Sequence, residues 1–171
     1  SRQRTLLTEM GIDVWVHRRA IQATTVQPAP ALLELNRAIL TCTRCELHKT
    51  RTQAVCGVGD LAADILVIGE APGADEDLQG EPFVGKAGQL LTEMLRAMGR
   101  ERSTVFIANV LKCRPPQNRD PTAQEVASCM PFLQRQITLL NPRLILVVGR
   151  IAAQSLLQVD TPIGKLRGKV H

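Results

Sequence analysis

Three apolar runs constrain this chain more than any other feature: "ADILVIG" at 63–69, "VFIANVLKC" at 105–113 and "RLILVVG" at 143–149. The first is continuous rather than alternating, the pattern of a strand buried on both faces. Each run precedes a helical segment. After the first, a helix starts near Lys86 with Leu90, Leu91, Met94, Leu95 and Met98 on one stripe. After the second, the adjacent prolines of "RPPQNRDP" keep a loop out of helix, and Thr122 and Glu125 then form a capping box for a helix reaching about Leu140. After the third, "RIAAQSLL" opens another helix. This alternation predicts a three-layer α/β/α fold around a central parallel sheet. Ligands of such sheets bind at the carboxyl ends of the strands, so the "GEAPG" loop, Asn109 and Gly149 are expected along one edge.

With 171 residues, 44% of them hydrophobic, the chain can bury the core of one ordinary domain. That domain is expected over residues 31–171, opening with a helix in "ALLELNRAIL". Residues 1–19 read as a short arm, and residues 20–30 as a polar, proline-bearing linker. No apolar run approaches the roughly 18 residues of a membrane span, and no cleavable signal pattern is present, so a cytoplasmic protein is expected. Net charge is +5, yet no Lys or Arg occurs between Arg51 and Lys86, an interval holding Asp60, Asp64, Glu70, Asp75, Glu76, Asp77 and Glu81. An acidic site framed by basic surface suits an enzyme acting on nucleic acid; a solvated acidic loop on a mildly basic protein also accounts for the charge.

Five cysteines in a spacing unlike a secreted disulfide framework point to metal or redox use. Cys42 and Cys45 form a CxxC pair, and Cys113 and Cys129 a wide second pair. Four thiolates can close a site around zinc or an iron-sulfur cluster; tetrahedral zinc usually uses two tight knuckles, whereas a larger cluster tolerates the wide pair. Buried structural cysteines are the third reading, and Cys56 is expected to be a small core residue.

The segments "GEAPGADEDLQGEPFVGKAGQLL", "ANVLKCRPPQNRDP" with the following Cys129, and "CTRC" together resemble the family 4 uracil-DNA glycosylases, the iron-sulfur branch of their superfamily, over residues 32–171. The resemblance implies a [4Fe-4S] cluster on Cys42, Cys45, Cys113 and Cys129, with a mainly structural role. It also implies that DNA is the partner and that uracil, turned out of the strand, is read in a pocket. Phe83 matches the family's stacking ring, the alternative being a core Phe. Asn109 matches its base-reading amide, which can donate to uracil O4 and accept from N3–H; the alternative is a polar strand end. Ala71 stands where the best-known branch of the superfamily carries a water-positioning Asp. Glu70 and Glu76 are therefore the catalytic candidates, with Asp75 and Asp77 behind them, and capping of the next helix is the other role open to Glu76. Gly73 and its neighbouring glycines let backbone approach the nucleotide, and the helix start near Lys86 offers N–H groups to phosphate.

Two departures from that pattern carry further expectations. The family continues past "LRGKVH" through a strand to an "HPxYLL" type segment, so a chain ending at His171 is expected to lack the last strand of the sheet, and His17, His48 and His171 are not the family's lesion-contacting His. The arm "LLTEMGIDVWVHRR" resembles the N-terminal peptide of the psi subunit of the DNA polymerase III clamp loader, with Leu6, Leu7, Ile12 and Trp15 as apolar anchors and Arg18 and Arg19 as charged ones. An arm folded on its own domain is the alternative. Two functions follow: a uracil-DNA glycosylase tethered to the clamp loader, or an inactive psi-like subunit binding the chi subunit and the clamp-loader ATPases while keeping the fold and cluster.

Overall fold

The structure, a computed structural model, describes residues 28–168 and 170–171. The arm with Leu6, Leu7, Ile12, Trp15, Arg18 and Arg19 lies outside the described residues. Helix α1 spans Pro28–Leu40, so the last residues of the expected linker are helical. The physical reason is that proline in a first helical turn forfeits no hydrogen bond.

Among the described residues four strands form one sheet: β1 (Val58–Gly59), β2 (Ile65–Gly69), β3 (Phe106–Asn109) and β4 (Leu144–Val147), in the order β1-β3-β2-β4. β2 runs parallel to both β3 and β4, as the alternation predicts, but β1 pairs antiparallel with β3. The all-parallel expectation is corrected at that edge. Gly59 makes the pairing possible: its φ is 134°, and a Cβ there would lie 2.8 Å from the Phe106 Cα. The strands are shorter than the apolar runs. Beyond Asn109 the chain stays tied to the β2 exit, with Val110 N–H donating to Gly69 O and Leu111 N–H to Glu70 O, both at 2.9 Å.

Alternate residues of β2 feed two cores. Leu66 and Ile68 pack with Leu133 and Leu140 of α4 (Ala123–Leu140) and Ala152 of α5 (Arg150–Leu157), and α1 lies on α4. Ile65 and Val67 pack with Leu91 and Leu95 of α3 (Lys86–Ala97) on the other face. The sheet is thus covered on both sides. Only part of the expected α3 stripe is buried, since Leu90 is 63% exposed and Met94 and Met98 are also exposed. One sheet face accepts a single narrow helical stripe, and the sequence offers a wider one. The α4 capping box forms as expected: Glu125 N–H donates to Thr122 Oγ1 at 3.2 Å, and Thr122 N–H to Glu125 Oε2 at 2.8 Å. Short helices α2 (Ala74–Gln79) and α6 (Ile163–Leu166), too brief for a periodic signal, were not expected. No helix of the described residues is long and apolar enough to cross a membrane.

Candidate active site and thiol centre

A cleft of about 360 Å³ opens at the carboxyl ends of the strands. Its walls include every site residue that the sequence suggested around the base: Glu70, Ala71, Gly73, Glu76, Phe83 and Asn109. Val148, just before Gly149, joins them from the exit of β4. Asn118 and Arg119 complete the rim from the loop after β3, a contribution hidden in the sequence because that loop has no periodicity.

Gly69 and Asn109 are register partners across β2 and β3. A Cβ on Gly69 would sit 2.5 Å from Phe83 Cζ and 2.6 Å from Asn109 Oδ1, so ring and amide converge on the space that glycine leaves open. Asn109 is 3% exposed, and its buried Oδ1 has no hydrogen-bond partner among the described residues. Such an acceptor costs roughly 1–3 kcal/mol unless a ligand supplies a donor. Phe83 holds φ at 56°, a left-handed backbone rare outside glycine and costing on the order of 1–3 kcal/mol. Its surroundings enforce that conformation. Arg102 Nη2 donates to Pro82 O at 2.6 Å, and the Phe83 carbonyl lies against Gly88, where a Cβ could not fit.

Glu76 secures the same loop from the other side. Its Oε2 accepts from Gly73 N–H at 3.0 Å, and its Oε1 from Val84 N–H at 2.9 Å and Gly85 N–H at 3.0 Å. Burial raises the pKa of this carboxyl, but the N–H donors of Gly85, Val84 and Gly73 outweigh it and hold the group below the usual range. Two of the N–H groups near the start of α3, expected to face phosphate, are therefore spent on Glu76. Asp77 is turned away from the cleft: both its oxygens accept from Thr52 N–H at 3.0 Å, and it is 3% exposed. Glu70 differs from both. It makes no side-chain hydrogen bond among the described residues, and burial first, then the charge of Asp120, pushes its pKa up against the opposing pull of Arg150.

Cys42, Cys45, Cys113 and Cys129 line one small cavity, although they arise after α1, before the 3-10 turn Glu46–Lys49, after β3 and within α4. None is in a disulfide. Arg51 closes one side, donating through Nη1 to Cys113 Sγ at 3.0 Å and through Nη2 to Leu40 O at 2.8 Å. Burial raises the Cys113 thiol pKa and carries that of Cys129 to about 11. Among the described residues, no three His, Cys, Asp or Glu side chains converge as a single-ion site. Cys56 stands apart and packs beside Ile39, Ala54 and Phe132. Lys112, which no motif or spacing singled out, is buried at 1% exposure and lines the thiol cavity.

A family model of the uracil DNA glycosylase superfamily matches residues 56–171, which include the whole cleft. The chain is 51% identical over 145 residues to the type-4 uracil-DNA glycosylase of Archaeoglobus fulgidus, covering 82% of this chain and 73% of that protein. To the type-4 enzyme of Pyrobaculum aerophilum it is 46% identical over 144 residues, covering 82% and 74%. To that of Thermotoga maritima it is 49% identical over 122 residues, covering 71% and 64%. The chain belongs to the uracil-DNA glycosylase superfamily and, within it, to the type-4 branch.

Proposed function

We propose that this protein hydrolyses the N-glycosidic bond of uracil in DNA. The observation that carries the reading is the unpartnered Oδ1 of Asn109, held beside the Phe83 ring over Gly69. Uracil stacked on Phe83 supplies the missing donor from N3–H, while the amide's NH2 meets O4. Cytosine presents an acceptor and a donor at those two places and mismatches both. Stacking on the ring contributes roughly 1–3 kcal/mol.

Hydrolysis breaks the bond from the base to the sugar C1′, and water supplies the hydroxyl that replaces it. The sugar becomes cationic as the bond lengthens, so a carboxylate close to it lowers the barrier. Glu70 has that role because its carboxylate is free to orient water or face the cation. Glu76 is a positioning residue, its oxygens engaged in holding the loop that carries Phe83. Ala71 leaves room but brings no chemistry of its own.

Cys42, Cys45, Cys113 and Cys129 would hold a [4Fe-4S] cluster. The all-sulfur donor set around one cavity supports this. The cluster's contribution is structural, joining the start of the domain to β3 and α4. The cytoplasmic assignment and the division into an arm over 1–19, a linker over 20–30 and a domain over 31–171 belong to this proposal. So does the tether to clamp-loader subunits, which rests on the sequence of residues 5–19 alone.

Incubating the chain with single- and double-stranded DNA containing one uracil tests the central claim. Release of uracil with formation of an abasic site is expected, and iron and sulfide should co-purify at four of each per chain. Folded, iron-loaded protein that leaves uracil in place would refute hydrolysis by this chain.

A further inference from the structure

Lys112 is buried at 1% exposure beside Cys113 in sequence, and it lines the thiol cavity. Its Nζ donates to Asn109 O at 2.7 Å and to Gln136 Oε1 at 2.6 Å. Gln136, itself fully buried, passes the chain on by donating through Nε2 to Cys56 O at 2.6 Å. The chargeable groups facing the ammonium are the thiols of Cys129 and Cys56, and it forms no ion pair with a carboxylate among the described residues. Lys112 and Cys129 line the same cavity. A buried cation costs several kcal/mol unless opposite charge is near, and the thiolates of the proposed cluster would be the negative charge within reach.

We infer that Lys112 is a positioning residue joining the two halves of the site. Its ammonium fixes the backbone that carries the base-reading Asn109 and sets a positive charge against the Cys129 side of the thiolate centre. This rests on the proposed cluster and on Asn109 as the reader of uracil. Lys112 touches neither the base nor the sugar, so its effect on the reaction runs through Asn109, and its effect on the centre is electrostatic.

The test uses the full iron-loaded chain and two variants, Lys112→Met and Gln136→Glu. Iron and sulfide content, the reduction potential of the centre, and KM and kcat on a uracil-containing single strand are measured for each. Lys112→Met should shift the potential to more negative values and raise KM about tenfold with a smaller change in kcat, as expected for loss of one buried charged hydrogen bond. Gln136→Glu places a carboxylate beside the ammonium and gives up the bond to Cys56 O while leaving the one to Asn109 O, so the potential should again move negative with KM close to that of the parent. An unmoved potential and KM in folded Lys112→Met would overturn the inference. Should Lys112→Met fail to fold or load iron, an unmoved potential in Gln136→Glu would do so. Parent protein without iron would instead sink the cluster reading and this inference with it; iron-loaded parent that releases no uracil would sink the Asn109 reading.

Discussion

Asn109 stands opposite Gly69 in the parallel register of β2 and β3, with its Oδ1 2.6 Å from where a Cβ on residue 69 would be. Gly69→Ala should therefore displace the amide, the Phe83 ring or both. We expect kcat/KM for uracil release to fall about 100-fold, equivalent to roughly 2.7 kcal/mol, while thermal unfolding moves by only a few degrees. Steady-state kinetics set beside a calorimetric scan would check this. Equal losses in activity and fold stability would contradict it.

Asn109→Asp changes which edge can be read. An ionised carboxylate cannot donate to uracil O4, whereas its protonated form offers the donor and acceptor that cytosine requires. Uracil release should drop by two orders of magnitude or more, on the scale of a buried polar mismatch, with low but measurable cytosine release appearing. Product chromatography on oligonucleotides bearing each base would decide the matter.

Burial and Asp120 together raise the Glu70 pKa, which gives the rate a direction in pH. Glu70 must be ionised to face a cationic sugar, so kcat should be full above the raised value and decline as pH falls through it. The acid limb should thus lie above the ordinary carboxylate range. Glu70→Gln should abolish that limb and lower kcat by roughly 100-fold or more.

Glu76→Gln should behave otherwise. One amide oxygen cannot accept from Gly73, Val84 and Gly85 as the carboxylate does, so the loop carrying Phe83 loosens. We expect a rise in KM, about 1–3 kcal/mol of lost stability, and an acid limb at the same pH as in the parent. Disappearance of the limb would instead mark Glu76 as a reacting carboxylate.

Behind the cleft rim, Glu125 is gripped by Arg119 through bonds of 2.7 and 2.9 Å and by the Thr122 N–H, which depress its pKa from 4.5 to about 2. A depressed carboxyl stabilises the fold above its unfolded pKa and loses that contribution as pH drops towards the folded value. The difference in urea midpoint between the parent and Glu125→Gln should be constant from pH 7 to about 5. It should then close towards pH 2, reflecting about 2 kcal/mol once the exposure of Arg119 is allowed for.

The parts legible from the sequence were those that repeat or have fixed local chemistry. Continuous apolar runs located β2, β3 and β4, and the Thr122 and Glu125 pair located the start of α4. β1 escaped because two residues, one of them glycine, carry no hydrophobic pattern. The resemblance named Phe83 and Asn109, and capping was one of the two roles open to Glu76; that Glu76 caps α2 and also holds the Phe83 loop through Val84 and Gly85 was hidden, since those bonds go to backbone N–H groups that every residue type but proline has. Lys112 was hidden for a related reason. Lysine ordinarily belongs to the surface, and only the tertiary arrangement reveals one enclosed among an amide, a carbonyl and thiols.

The cavity thiols come from chain positions as distant as Cys42 and Cys129, and Arg51 bridges Leu40 to Cys113 across the same gap. Closing so long a loop carries an entropic cost, which the packing of α1 on α4 offsets in part. Hydrogen exchange should accordingly divide the domain into two cooperative units: a slow one built on the central ladder, and a faster one comprising α1 and the turn after it, whose protection rises and falls with occupancy of the thiol centre.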